Sequence, residues 1–120
     1  MSIIVTGIVE KGKGYAGRLG FPTANIPLAN SALSGIYAAR VTIKEGDAPY
    51  MAAVFADPKR SLLEAYILDF FDDLVGREIS IELYDKIRDT EVFTDETALK
   101  NAIAKDVEKT RSYFKERQAL

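Results

Sequence analysis

The 120-residue sequence predicts an α+β protein that is mainly β, built as a small antiparallel barrel with a helix packed on it. Its first two-thirds consist of short apolar segments joined by short turns, which is typical of antiparallel strands. Its last third changes to the period of a helix. Strands that come first and a helix that comes last favour the α+β class.

Five strands follow from the spacing of apolar and turn residues. Arg77–Tyr84 alternates apolar and polar side chains, the pattern of a strand with one buried face. Leu62–Phe70 is apolar on both faces apart from Glu64 and Asp69. Pro27–Ser34 is predicted as a polar loop, because proline and asparagine interrupt regular structure. The other strands are predicted at Ser2–Glu10, Ile36–Ile43 and Tyr50–Phe55, and turns at Glu45–Asp47, Asp57–Arg60 and Asp72–Gly76.

The last third predicts one amphipathic helix. Thr94 or Asp95 can cap its start, and Glu96 lies where the helix dipole favours negative charge. Lys115 and Arg117 lie at the other end, where the dipole favours cations. The buried stripe is predicted to consist of Leu99, Ala102, Ile103, Val107, Thr110 and Phe114.

The composition limits the possible chemistry. We expect one domain over residues 1–120, since a chain of this length forms a single core. Cysteine and histidine are absent, which excludes disulfides and cysteine-ligated zinc and leaves acid–base chemistry to Asp, Glu, Lys or Tyr. The net charge of −2 argues against nucleic-acid binding. The N-terminus lacks a signal-peptide pattern, and no apolar run approaches the ~20 residues of a membrane helix, so we expect a cytoplasmic protein without membrane partners. We also expect a monomer.

A dense glycine-rich stretch occupies residues 12–26, GKGYAGRLGFPTANI. Its first three glycines, Gly12, Gly14 and Gly17, match the dinucleotide-binding pattern Gly-x-Gly-x-x-Gly. That pattern requires a helix to open at the third glycine, and Gly20 and Pro22 follow too soon for one to start. The dinucleotide interpretation therefore fails on context.

Two other phosphate-binding patterns also fail. A P-loop would need a lysine and a hydroxyl residue where the chain has Arg18 and Leu19. A protein-kinase glycine loop would need His-Arg-Asp and Asp-Phe-Gly, which are missing. The glycine amides can still form an anion-binding concavity, with Lys13 and Arg18 adding charge. A flexible, solvated hairpin loop is the alternative.

The segment Pro22–Asn25 reads Pro-Thr-Ala-Asn and offers two oxygen donors. In an extended segment Thr23 and Asn25 point the same way, because they are two residues apart. A hydroxyl and an amide oxygen on one face can ligate Mg²⁺ together with substrate phosphates. The alternative is a turn in which Asn25 bonds its own backbone.

Residues 7–25 resemble the signature of the riboflavin kinase (flavokinase) family. The signature combines Gly-x-Val-x-x-Gly, here residues 7–12, with Gly-Arg-Leu-Gly-Phe-Pro-Thr-Ala-Asn, here residues 17–25. The resemblance continues in order along the chain, at Ser-Gly-Ile-Tyr-Ala (34–38), Leu-Glu-Ala-Tyr-Ile-Leu-Asp-Phe (63–70), Asp-Leu-Val-Gly (73–76) and the Ile-Arg…Phe segment (87–93).

The resemblance implies a six-stranded antiparallel barrel with a C-terminal helix. It implies transfer of the γ-phosphoryl group of ATP to the 5′-hydroxyl of riboflavin, giving FMN and ADP. Thr23 and Asn25 would hold Mg²⁺ and the nucleotide phosphates, Glu64 would take the hydroxyl proton, and Arg88 would lie in the loop that closes over the flavin. The loop over the nucleotide would include Gly12, Lys13, Gly14 and Gly17, with Arg18 adding charge beside it.

Glu64 also stands out without the resemblance. It is the one charged residue in the run Leu62–Leu68. Burial of a carboxylate is costly unless it is paired, and removal from water makes it a stronger base. The alternative is that Glu64 meets solvent at the barrel rim. Phe93 and Tyr84 can stack on the flavin ring, and core positions are the alternative for both.

Two segments depart from the family pattern. Where the family usually carries Ile-Gly-x-x-Pro-Thr, residues 54–61 read Val-Phe-Ala-Asp-Pro-Lys-Arg-Ser, with no glycine and a shortened loop before Glu64. The loop 89–93 lacks the proline often found after the arginine. We expect an active kinase. The rival hypotheses are a flavin- or nucleotide-binding regulatory module that has lost turnover, and a barrel kept as an interaction scaffold.

Overall fold

A computed structural model of the protein describes residues 2–12, 20–44 and 46–118. Six strands form one sheet in the order β1-β6-β3-β4-β5-β2, and every neighbouring pair is antiparallel. The strands are β1 (Ile3–Ile8), β2 (Ala24–Pro27), β3 (Gly35–Thr42), β4 (Tyr50–Asp57), β5 (Leu62–Ile67) and β6 (Glu78–Arg88). One helix, α1 (Glu96–Gln118), follows them.

The sheet curls into a nearly closed barrel. Its two edge strands meet where the amide of Glu10 donates to the carbonyl of Asn25 at 2.8 Å. Gly7 of β1 faces Ile26 of β2 so closely that a methyl group there would lie 3.2 Å from the Ile26 Cβ. The predicted barrel with a C-terminal helix is confirmed, including the sixth strand that the resemblance implied.

The apolar-pattern prediction missed β2 and misplaced several strand ends. β2 is only four residues long and ends at Pro27, so it offers little periodicity. β5 ends at Ile67 and not at Phe70, because Asp69 adopts a left-handed conformation with φ of 59° in the following turn. β6 continues to Arg88, four residues beyond the predicted end at Tyr84.

The barrel interior is filled by alternate side chains of its strands, as the period of a strand requires. Fully buried members include Val54 of β4, Leu63 of β5 and Ile81 of β6. The intervening residues of β4 and β5 point to the outer face of the barrel. Helix α1 packs on that side, against β3 and β4.

Helix α1 is anchored through its second half. Phe114 is 2% exposed, and its ring meets Tyr84 edge-on at 5.5 Å between centroids. The guanidinium of Arg40 lies 4.7 Å from the centre of the Phe114 ring. Thr110 is buried as predicted, whereas Leu99 and Ile103 are only partly covered. Across the described residues, no helix is long and apolar enough to cross a membrane.

Phe114→Ala should remove the main anchor of the helix. We expect the free energy of unfolding to fall by about 3–5 kcal/mol, because a large buried ring leaves a cavity that the surroundings only partly fill. Urea unfolding followed by circular dichroism measures the change. Lys115→Ala alters the adjacent exposed position and should stay within about 0.5 kcal/mol of the parent. Equal losses in the two variants would contradict this anchoring.

Candidate functional site

A cavity of about 560 Å³ lies between the outer face of the barrel and the start of helix α1. Its floor is formed by outward-facing residues of β4 and β5, and its roof by the segment 88–93 and the first turns of the helix. Four of its fifteen lining residues are aromatic. The lining consists of Phe21, Thr23, Ile36, Ala53, Phe55, Arg60, Glu64, Tyr66, Arg88, Thr90, Glu91, Phe93, Leu99, Ile103 and Asp106.

The pairing of β2 with β5 brings the polar residues of this site together. Asn25 is the register partner of Glu64, so the two side chains share one face of the sheet. Thr23 lies two residues before Asn25, and its hydroxyl donates to Oδ1 of Asn25 at 3.3 Å. Asn25 is 5% exposed, and the Glu64 side chain is 16% exposed. Thr23, Asn25 and Glu64 therefore form one cluster.

The backbone at Gly12 lies directly against the side-chain amide of Asn25. A methyl group at Gly12 would collide with Nδ2 of Asn25, so any larger residue would displace the amide. The other residues predicted for the nucleotide loop, Lys13, Gly14, Gly17 and Arg18, lie outside the described residues.

Glu64 is paired with Arg60 from the turn between β4 and β5. Arg60 donates from Nη2 to Oε1 of Glu64. It also donates from Nε to Oδ2 of Asp57 at 2.6 Å. Partial burial by itself would raise the pKa of the Asp57 carboxyl, but the hydrogen bonds and charge of Arg60 outweigh it and hold that pKa below its usual value. Sequence reasoning recorded this segment as a departure and did not foresee the bridge.

Arg88 ends β6 and is fixed by a buried carboxylate. Its Nε and Nη2 donate to the two carboxylate oxygens of Asp106, each at 2.8 Å, in a bidentate pair. The Asp106 side chain is 4% exposed, and the Phe93 ring centre lies 5.8 Å from the guanidinium carbon. Both residues predicted for flavin binding thus line the cavity, and Arg88 is held there by the helix residue Asp106.

Asp106 is the cavity residue that sequence reasoning missed. Its signal was present, because it follows Ile103 by three residues and precedes Thr110 by four, inside the predicted apolar stripe. A carboxylate at such a position must be paired, since an unpaired buried charge is costly.

A second cavity, of about 300 Å³, lies at one end of the barrel near the bend 69–76. Thr23 lines both cavities, so they meet at the Pro-Thr-Ala-Asn segment. The smaller cavity also contacts Val9, Phe70 and Phe71, and the Phe71 side chain is 91% exposed. The two cavities therefore adjoin at Thr23.

The donors at Thr23 and Asn25 suit a magnesium ion that completes its shell with water and phosphate oxygens. Their hydroxyl and amide oxygens are hard donors that share one face of the barrel. Among residues 2–12, 20–44 and 46–118, no group of three or more acidic side chains forms an all-protein metal cage. Thr23 and Asn25 would therefore supply only part of such an ion's coordination shell.

Comparison with known proteins agrees with this geometry. A family model described as riboflavin kinase matches residues 1–114. The bifunctional riboflavin kinase/FMN adenylyltransferase of Escherichia coli (strain K12) is 36% identical over 117 residues, which cover 92% of this chain and 37% of that protein. Riboflavin kinase from Trypanosoma brucei superposes with a TM-score of 0.69 at 28% identity, covering 98% of this chain and 82% of that one. A structure described as a macrolide-efflux protein from Streptococcus pneumoniae gives a TM-score of 0.72 at 28% identity, covering 90% of this chain and 36% of that one.

Fold and site together define a six-stranded antiparallel barrel protein with a small-molecule site on its outer face. The chain belongs to the riboflavin kinase family. It spans a little over a third of the length of the curated relatives it matches, at 37% of the Escherichia coli protein.

Asp106→Asn should destabilise the protein because it leaves the Arg88 charge without its carboxylate. We expect a loss of about 1–3 kcal/mol in the free energy of unfolding, measured by urea titration. Asp69→Asn is the matched control, because Asp69 also accepts a bidentate pair at the surface, from Nη1 and Nη2 of Arg111. The Asp69 side chain is 67% exposed, and water replaces such a pair readily. Equal effects of the two substitutions would show that burial of Asp106 is unimportant.

The lowered pKa of Asp57 predicts a pH-dependent contribution to stability. A carboxyl with a lowered folded-state pKa stabilises the fold above its ordinary value of 3.8, and that contribution disappears as pH falls through the lowered value. The stability difference between the parent and Asp57→Asn should therefore be constant above about pH 5 and shrink below about pH 4. Urea unfolding across pH measures it, with Asp47→Asn as a control for loss of an exposed charge. A difference that keeps its full size down to the acid transition would contradict the prediction.

Proposed function

We propose that this chain is an ATP:riboflavin 5′-phosphotransferase that makes FMN and ADP with Mg²⁺. The observation that carries the proposal is the cluster of Glu64, Thr23 and Asn25, in which Thr23 lies at the junction of the two cavities and Glu64 lines the larger one. Phosphoryl transfer between two small molecules needs such a junction, because acceptor and donor must meet in line. Family membership supports riboflavin as the acceptor.

The larger cavity suits the flavin. Its volume of about 560 Å³ falls in the range of small-molecule sites, and Phe21, Phe55, Tyr66 and Phe93 can contact a planar ring. Phe21 and Tyr66 already pack edge to face, with ring centroids 5.3 Å apart. Arg88, held by Asp106, provides a fixed donor array at the same wall.

The smaller cavity suits the nucleotide. It begins at Thr23, where the phosphates would lie, and continues past Phe70 and Phe71. Gly12 keeps the backbone close to Asn25. The family resemblance implies that residues 13–19, which lie outside the described part of the chain, would cover the phosphates. A bound Mg²⁺ would neutralise charge on the transferred group, held by Thr23, Asn25 and the phosphate oxygens.

Glu64 would act as the general base. Its carboxylate accepts the proton of the riboflavin 5′-hydroxyl as the hydroxyl oxygen bonds to the γ-phosphorus. The bond between the γ-phosphorus and the bridging oxygen breaks, and the electron pair leaves with ADP. Thr23 and Asn25 orient the phosphate end, so that the chain mainly supplies position and charge. Riboflavin and ATP are then its small-molecule partners, and we expect the reaction to occur in the cytoplasm on a monomer.

A binding module without turnover is the second candidate. The observation that favours it is the pairing of Glu64 with Arg60, a residue of the segment that departs from the family pattern. A carboxylate oxygen held by a guanidinium is less available to a substrate hydroxyl. The two candidates share the cavities and differ in whether FMN forms.

Incubation with riboflavin, ATP and Mg²⁺, followed by chromatography for FMN, separates the two. We expect FMN with the parent chain and a loss of about 10²–10⁴-fold in kcat with Glu64→Gln, because general-base help is worth that much. The affinity of Glu64→Gln for the nucleotide should be nearly unchanged from that of the parent. Glu78→Gln alters an exposed glutamate at the start of β6, away from both cavities, and should leave turnover unchanged.

If no FMN forms, quenching of flavin fluorescence shows whether the chain still binds riboflavin. Tight quenching without any FMN would favour the binding module over the kinase. FMN formation at the parent rate by Glu64→Gln would keep the kinase and remove Glu64 as its base.

A further inference from the structure

The turn between β4 and β5 holds the candidate base through a chain of three side chains. Asp57 accepts hydrogen bonds from the backbone amides of Lys59 at 3.1 Å and Arg60 at 3.4 Å. The same carboxylate accepts from Nε of Arg60 at 2.6 Å, so it fixes both the backbone and the side chain of that residue. Arg60 then donates to Glu64 from its far end.

The turn itself is firmly placed. Ser61 adopts φ of 54°, a conformation that costs energy in a residue other than glycine. Its carbonyl accepts from the amide of Leu28 at 2.8 Å, which ties the turn to the segment just after β2. Asp57 is thereby fixed relative to the strand that carries Asn25.

The geometry of Arg60 suits a bridge between two carboxylates. Its side chain is 41% exposed, while those of Asp57 and Glu64 are 14% and 16% exposed, so the pairs are shielded on the carboxylate side. The guanidinium carbon lies 5.9 Å from the centre of the Phe55 ring, and Phe55 is the register partner of Glu64 on β4. Arginine can donate to both carboxylates at once because its planar guanidinium group carries several N–H donors in fixed directions. Lysine has a single ammonium group and cannot do so.

We propose that Arg60 is a positioning residue for Glu64, set by Asp57, and that it orients the carboxylate toward the acceptor hydroxyl. The proposal rests on the proposed function. In the resting site Arg60 occupies Oε1 of Glu64, which leaves Oε2 as the oxygen that accepts the proton. A carboxylate held at one oxygen keeps its other oxygen in a fixed direction, whereas a free glutamate samples several rotamers.

Arg60→Ala is the first test, measured as FMN formation under saturating riboflavin and ATP. We expect kcat to fall about 10–100-fold, because a misplacement of 1 Å costs about that much. The Kd for riboflavin, read by fluorescence quenching, should change less than about threefold, because Arg60 is only one of the fifteen residues that line the flavin cavity. The kcat of Arg60→Lys should lie between those of the parent and Arg60→Ala, because lysine keeps the positive charge but lacks the planar guanidinium group.

Lys59→Ala is the matched control. It removes the same charge from the adjacent position of the same turn, and in the described part of the chain the Lys59 side chain joins no ion pair. Its kcat should equal that of the parent. Equal kcat values for Arg60→Ala and Lys59→Ala would overturn the proposal. Circular dichroism and thermal unfolding of both variants verify that the fold is retained, and Arg60→Gln replaces Arg60→Ala if the latter unfolds.

The double variant Arg60→Ala with Glu64→Gln distinguishes positioning from direct action on the phosphates. If Arg60 acts through Glu64, the double variant should be no slower than Glu64→Gln alone within about threefold. If the losses in kcat of the two single variants multiply in the double variant and the affinity for ATP falls, the proposal is overturned. Arg60 would then act by contacting the phosphates directly. A parent chain that makes no FMN would overturn the proposed function and this inference together, whereas an active parent with an unaffected Arg60→Ala variant overturns the inference alone.

Discussion

The antiparallel pairing of β2 with β5 is the constraint on which the rest of the site depends. It sets Asn25 opposite Glu64 and carries Thr23 to the edge where the two cavities meet. Since side chains alternate along a strand, a shift of one residue in this register would send Glu64 into the apolar interior and Leu63 or Ala65 to the cavity. The interior face of β5 prevents that shift, because Leu63 and Ala65 are fully buried. Core packing therefore fixes the position of a polar cluster that lies outside the core.

The larger cavity lies under the start of the helix, whose far end is anchored against the barrel. Phe114 packs against Tyr84 and Arg40 near the end of the helix, whereas Leu99 and Ile103 near its start remain partly open above β4. The bidentate pair of Arg88 and Asp106 joins the barrel to the helix between these regions. A buried ion pair of this kind specifies geometry more than it adds stability, since desolvation offsets much of its attraction.

The turn between β4 and β5 shows how a local departure from a family pattern can still serve the site. The sequence there has no glycine, and Ser61 takes a left-handed conformation that glycine would adopt more easily. The hydrogen bonds accepted by Asp57 stabilise the turn, and they also bring Arg60 within reach of Glu64. The same residues that shorten the loop thus determine the surroundings of the carboxylate.

Alternation of apolar residues was enough to predict most of the strands, and helical spacing was enough for α1, because both periods are properties of the local chain. The short strand β2 was not predicted, because a segment of four residues that ends in proline is too short to show an alternation of apolar and polar side chains. The oxygen donors Thr23 and Asn25 and the isolated carboxylate Glu64 were identifiable from residue type and spacing alone. Their meeting was not, because it depends on a pairing between strands nearly 40 positions apart. Which groups Arg60 and Asp106 pair with was likewise decided only in the folded structure. The turn geometry directs Arg60 to Glu64 four residues away, and the packing of the helix brings Asp106 to Arg88, 18 residues earlier in the chain.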